Sequence, residues 1–132
     1  AQTGAPDIVL FSSPAGNDIL SNLDYDKAIT NINAIIDKLQ TSNPNVTIVI
    51  EQLAPGKSDF MTPAFTNAFN QMKIDVLTIA TNQTTAASKV IAVDMFTQFN
   101  DSYLADDIHY NKAGAEFIAT RYYNVLKNVL KE

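Results

Sequence analysis

The sequence predicts an α/β protein in which helices pack on a parallel β-sheet. Short apolar segments of strand length alternate along the chain with longer segments whose apolar residues recur every three or four positions. This alternation is typical of a layered fold with parallel strands. The chain contains no internal repeat and no low-complexity linker, so we expect residues 1–132 to form a single domain.

Three segments have the composition of strands. Ile8–Phe11 is apolar at every position, which predicts burial of both its faces. Residues 46–50 form a β-branched run, and residues 90–94 form the third segment. The first strand is followed by a turn-rich sequence, Ser-Ser-Pro-Ala-Gly-Asn-Asp, at residues 12–18.

Three segments have the spacing of helices. The most regular covers residues 25–40, with Asp24 as a candidate N-cap. A second is predicted from Pro63 to about residue 80, although residues 74–79 also fit a strand. The last runs from about Lys112 to Lys131, and residues 54–59 between the second strand and second helix are predicted to form a loop.

Composition excludes several classes of function. The net charge is −5 and the nine basic residues are scattered, so nucleic acid is not an expected partner. No apolar run approaches the roughly 20 residues that cross a bilayer. The chain has no cysteine, which excludes disulfides and thiolate catalysis. Because small residues are common beside signal cleavage sites, the opening sequence Ala-Gln-Thr-Gly leads us to expect a secreted or periplasmic protein.

Two sequence-distant segments carry candidate chemistry. His109 is the only histidine, and it follows Asp106 by three residues, just ahead of the last helix. Histidine exchanges protons near neutral pH, and a carboxylate can fix its tautomer, although an isolated Asp-x-x-His pair is more often a surface feature. Asn17 follows the first strand, where ligands bind at the carboxyl ends of parallel strands; taken alone, it also suits a turn or helix cap.

Taken together, these features resemble the SGNH (GDSL-type) serine ester hydrolases. The similarity rests on Ala15-Gly16-Asn17-Asp18 after the first strand and on Asp106-x-x-His109-x-Asn-x-x-Gly before the last helix. It implies a three-layer α/β/α, flavodoxin-like sheet. It also implies that His109 is the general base, Asp106 its orienting acid and Asn17 an oxyanion donor. Ala15, Gly16 and Pro55 are expected to line the substrate site, and no metal or organic cofactor is implied.

The chain departs from that family in its nucleophile. It contains no Gly-Asp-Ser motif, and only sixteen residues precede Asn17, which leaves no room for the family's first two strands. We therefore expect the nucleophilic serine to lie outside this chain. The alternative is a surrogate nucleophile at Ser12 or Ser13, unless both of these serines are turn hydroxyls. The apolar strand Ile8–Phe11 would then be an edge that pairs with an N-terminal companion chain or with a second copy.

These observations favour a hydrolase of small acetyl, short acyl or thioester substrates. The alternative is a non-catalytic binding or interaction module on the same fold. A flavodoxin- or receiver-like signalling domain has the same layers. The sequence disfavours it, because no phosphate-binding glycine-rich loop follows the first strand and no acidic pair with a lysine stands at the strand ends.

Overall fold

The computed structural model describes residues 4–130, so Lys131, the expected end of the last helix, lies outside the described residues. Three strands alternate with helices along the chain. Their bounds are β1 Ile8–Phe11, α1 Gly16–Leu20, α2 Tyr25–Ser42, β2 Thr47–Gln52, α3 Pro63–Gln83, β3 Val90–Asp94, a 3-10 helix Asp101–Tyr103 and α4 Lys112–Val129.

The strands form one parallel sheet in the order β1-β2-β3. Ile8 is opposite Thr47 at the start of the first pair, and Gln52 is opposite Asp94 at the end of the second. Since all strands point the same way, the loops that follow them leave from one edge of the sheet. The prediction of a parallel α/β sheet is confirmed.

Helices pack on both faces of the sheet. On one face α1, α2 and α3 enclose a core that includes Ile36, Ile48 and Met72. On the other face, α4 contributes Ile118 and Tyr122 to a second, smaller core. This confirms the three-layer arrangement, and it follows from the apolar composition of β2, whose alternate residues enter the two cores.

The observed element boundaries agree with those predicted from the sequence, except in local detail. Asp24 caps α2 by accepting a hydrogen bond from the Lys27 N–H at 3.0 Å, as predicted. The strand alternative for residues 74–79 is wrong, because α3 continues through them with Val76 and Ile79 buried at helical spacing. β2 extends to Gln52, beyond the predicted end, because its pairing with β3 continues that far. The five-residue α1 was not predicted, being too short to show a period.

One face of β1 is only partly covered. Val9 and Phe11 pack against the larger core, but Leu10 is 45% exposed, so the expected burial of both faces is not met within the described chain. The physical reason is that α4, which covers this face, packs over β2 and β3.

Among the helices of residues 4–130, none combines the length and apolarity that a bilayer crossing requires.

A first prediction concerns Gly114 in the first turn of α4. A Cβ at this position would clash with the Tyr103 carbonyl oxygen, a backbone atom that cannot move independently. Gly114→Ala should therefore lower the free energy of unfolding by about 2–3 kcal/mol, as overpacking does. Urea denaturation measures the effect. Gly4→Ala is the matched control, since no atom lies within 4 Å of its added methyl; equal effects of both substitutions would contradict the prediction.

Candidate active site

The Asp106–His109 segment forms the tip of a narrow hairpin after β3. The Ala105 N–H donates to the His109 carbonyl oxygen at 2.8 Å, and the Asn111 N–H donates to that of Tyr103 at 3.0 Å. The Asn111 side chain then caps α4. The helix start and the hairpin therefore hold the histidine in one place, although its side chain is 75% exposed.

Asp106 and His109 form the pair that the sequence predicted. Asp106 Oδ2 lies 2.8 Å from His109 Nδ1. Asp106 Oδ1 accepts the N–H groups of Ile108 at 2.9 Å and of His109 at 2.8 Å. The hydrogen bonds from these two N–H groups, followed by the one from the imidazole, lower the pKa of Asp106 to about 2.

The charge on Asp106 fixes the tautomer of the imidazole. An ionised carboxylate can only accept hydrogen bonds, so His109 Nδ1 must carry the hydrogen that lies between them. In the neutral ring, Nε2 then presents a lone pair. Within residues 4–130, Nε2 makes no hydrogen bond, so it is free to accept a proton from a substrate or nucleophile.

The loop between β1 and Asn17 has a strained backbone. Ser13 and Ala15 adopt positive φ angles of 46° and 58°, whereas Gly16 does not and begins α1. The left-handed position directly before α1 is therefore occupied by alanine, whose Cβ makes this conformation strained. Asn17 is exposed, and its side-chain amide makes no hydrogen bond within the described residues. The amide can therefore donate to a ligand.

Asn17 and His109 line one small cleft. The cleft has a volume of about 150 Å³ and is also lined by Ser13, Gly16 and Pro55. Two residues of the predicted site are not on its wall, because Ala15 is buried under the loop and Asp106 is behind the histidine. The structure therefore brings together the loops that follow β1, β2 and β3.

Glu51 is a part of the site that sequence reasoning missed. It lies on β2 with no exposed surface, directly below the Asn17 loop. Its Oε2 accepts the Ser13 N–H at 2.8 Å, and its Oε1 accepts the Tyr122 hydroxyl at 2.6 Å. One carboxylate thus links the central strand, the Asn17 loop and α4. The available signal was an acidic residue directly continuing an apolar strand segment.

Glu51 also affects the two nearby phenols. Burial, and then the hydrogen bond to Glu51, raises the pKa of Tyr122 well above its ordinary value. Burial, with a smaller contribution from the Glu51 charge, raises the pKa of Tyr110 to about 12. Both tyrosines therefore keep their protons at neutral pH, and Tyr122 remains a hydrogen-bond donor to Glu51.

The loop after β2 is bonded to the segment that carries the histidine. The Lys57 N–H donates to the Asp107 carbonyl oxygen at 2.8 Å. Ser58 donates through its N–H to Asp101 Oδ1 at 3.0 Å and through its hydroxyl to Oδ2 at 2.5 Å. These contacts fix the Pro55 loop relative to His109, so the cleft has defined walls.

This arrangement of an Asp-His pair and an asparagine amide is accompanied by similarity to known proteins. The sequence profile described as the GDSL-like lipase/acylhydrolase family matches residues 1–117. The chain therefore belongs to this family, whose members are ester hydrolases. No curated protein matches the chain.

Several solved structures share the fold, including two esterases. A carbohydrate esterase family 3 protein from Talaromyces cellulolyticus superimposes with a TM-score of 0.80 at 22% identity, over 94% of this chain and 58% of that one. An acetyl esterase mutant, solved with acetate ion, superimposes with a TM-score of 0.76 at 22% identity, over 94% and 60%. The chain thus spans about three fifths of the length of these relatives.

A second prediction tests the hydrogen bond between Tyr122 and Glu51. Tyr122→Phe removes the hydroxyl and leaves one oxygen of a buried carboxylate without its donor, which should cost about 1–3 kcal/mol in the free energy of unfolding. Tyr123→Phe is a matched control, because this neighbouring tyrosine is 65% exposed. Urea unfolding of the two variants compares them, and an equal, negligible loss in both would show that Glu51 does not depend on Tyr122.

A third prediction concerns the pKa of Asp106. Its carboxyl carbon should titrate in a ¹³C NMR experiment with a midpoint of about 2, below the ordinary 3.8. Because the folded pKa is depressed, the stabilisation is fully present above 3.8 and is lost as the pH falls through about 2. A midpoint near 3.8 would mean that the carboxylate does not hold the histidine and the hairpin N–H groups in solution.

Proposed function

We propose that this chain supplies the acid–base and oxyanion-binding groups of a serine ester hydrolase. The observation that carries the proposal is that the Asp106-oriented His109 and Asn17, whose side-chain amide makes no hydrogen bond within residues 4–130, line one cleft. An ester hydrolase needs a base that takes the proton of its nucleophile and a donor that stabilises the oxyanion. A pure scaffold needs neither.

In the proposed acylation, a serine Oγ attacks the ester carbonyl carbon while its proton passes to His109 Nε2. Asp106 stabilises the imidazolium through Nδ1. The carbonyl oxygen becomes an oxyanion and accepts a hydrogen bond from the Asn17 amide. When the intermediate collapses, the carbon–alkoxy bond breaks, and the leaving alcohol takes the proton from Nε2. The product is an acyl-serine.

Deacylation repeats these steps with water as the nucleophile. His109 Nε2 accepts a proton from water, and the resulting hydroxide adds to the acyl carbon to give a second oxyanion at Asn17. Collapse breaks the carbon–serine bond, and the proton on Nε2 returns to the serine oxygen. The carboxylic acid then leaves, and His109 is ready for another cycle.

We place the nucleophilic serine in a segment outside these 132 residues, because the chain contains no Gly-Asp-Ser motif. Within residues 4–130 no strand pairs with the outer edge of β1, and this supports the placement, since such an edge next to the cleft can accept a further strand. Ser13 is the alternative, as it lines the cleft with His109. Its N–H already binds Glu51, which suits a structural role for this residue.

We propose that the protein acts after export. The substrates we propose are small neutral esters such as acetyl esters. The substrate class rests on relatives described as a carbohydrate esterase and an acetyl esterase. The cleft volume of about 150 Å³ at His109 is consistent with a small acyl group.

A fourth prediction tests this function by hydrolysis of p-nitrophenyl acetate. The 132-residue chain alone should be nearly inactive, whereas the full product of its reading frame should be active. In that product, His109→Ala should abolish turnover, and Asn17→Ala should lower kcat by about 100-fold, as for the loss of one oxyanion donor.

Ser13→Ala serves as the control for the nucleophile and should leave most of the activity. If the chain alone turned over robustly and lost activity in Ser13→Ala, the serine would have been placed wrongly. If the full product folded but neither His109→Ala nor Asn17→Ala changed the rate, the catalytic proposal would fail in favour of a binding module.

A further inference from the structure

A second and larger cavity adjoins the cleft at His109. Its volume is about 650 Å³, within the range of small-molecule sites. It shares Pro55, Gly56 and Phe69 with the cleft, so the two spaces are neighbours along the loop after β2. We call it the aromatic cavity after its main apolar lining, Met61, Phe69, Phe96 and Phe99.

The rings of the aromatic cavity are held by neighbours outside it. Lys73 Nζ lies 3.4 Å from the centroid of the Phe96 ring. Phe99 packs edge-on against Phe117, with ring centroids 5.6 Å apart. Phe69 is buried in the larger core. These contacts keep the rings from collapsing into the space, so the cavity is largely preformed.

The polar groups at the rim already have partners. Ser58 bonds Asp101 through two hydrogen bonds, and Asn100 Oδ1 accepts the N–H of Ser102 at 3.0 Å. The Ser58 hydroxyl and N–H hold the pKa of Asp101 below its ordinary value, so the rim is negative at neutral pH. A ligand group here gains little from polar contacts, and an anionic group is repelled.

The position of the cavity separates it from the open edge of the sheet. Its lining comes from α3 and from the loops after β2 and β3, whereas the sheet edge that has no partner in the described part of the chain belongs to β1. A strand added at β1 would leave the aromatic cavity accessible. The space therefore remains available to a group of the substrate whose ester bond lies at His109.

We propose that the aromatic cavity binds a neutral aryl group of the ester substrate. The inference rests on the proposed function for the identity of the reacting bond, and it adds a substrate class that an acetyl group alone does not require. Three phenylalanine rings favour a flat ring, because edge-to-face and offset contacts add to the burial of apolar area. The ring belongs to the acyl part or to the alcohol part of the ester.

The test measures binding by NMR to the 132-residue chain, with ¹³C-labelled methionine methyl groups and phenylalanine rings. Methyl benzoate carries the ring on the acyl side, and phenyl acetate carries it on the alcohol side. At least one should shift the Met61 and Phe99 signals at millimolar concentration, and the tighter binder identifies the side. Methyl acetate and benzoate anion should cause no such shift, and methyl cyclohexanecarboxylate should bind several-fold more weakly than methyl benzoate.

Two tryptophan substitutions on α3 provide matched variants. Thr66 is exposed and lines the cavity, so Thr66→Trp should fill it and weaken aryl binding at least tenfold. Asn67 is exposed and does not line it, so Asn67→Trp should bind normally. Thr66→Phe, a smaller filler, replaces Thr66→Trp if the latter is not folded.

The proposal is overturned if neither aryl ester shifts these signals, if the cyclohexyl ester binds equally well, or if binding survives in Thr66→Trp. These results are independent of catalysis, because no bond is broken. Aryl binding together with hydrolysis that ignores His109→Ala would refute the proposed function alone. Hydrolysis that requires His109 without aryl binding would refute the aromatic cavity alone.

Discussion

The buried carboxylate of Glu51 is the interaction on which the geometry of the site depends. A charge without solvent contact on the central strand is costly unless each oxygen has a donor. The chain provides one donor from the loop that carries Asn17 and one from α4, which starts directly after the histidine hairpin. Satisfying one carboxylate therefore fixes two distant segments relative to each other, and it helps to hold the positive φ angles of Ser13 and Ala15.

The Asp106–His109 pair works on a different principle, because both side chains are largely exposed. Its order comes from the backbone: the same carboxylate that binds the imidazole also accepts two N–H groups of its own hairpin. The imidazole is thus oriented without burial, and 75% of the His109 side chain remains exposed. Gly114 also contributes to this arrangement, because only a residue without a Cβ allows α4 to start so close to Tyr103.

The sequence was sufficient for the fold and for the residues with distinctive local patterns. Strands and helices follow from the spacing of apolar residues and from caps, as Asp24 illustrates. The spacing of Asp106 and His109 predicted their hydrogen bond, which is present, whereas the catalytic roles of His109, Asp106 and Asn17 stay predictions. The roles of Glu51 and Tyr122 could not be predicted, because their 2.6 Å contact joins residues 71 positions apart. The aromatic cavity was missed for the same reason: Phe69, Phe96 and Phe99 look like ordinary core residues until the loops converge.

The most direct test of the central claim is a crystal structure of the full product of the reading frame after reaction with a neutral organophosphonate ester. We predict a covalent adduct on a serine outside these 132 residues. Its phosphoryl oxygen should lie within hydrogen-bonding distance of the Asn17 amide, and the serine oxygen should lie within reach of His109 Nε2. An adduct on Ser13, or one whose phosphoryl oxygen is bound away from Asn17, would contradict the account.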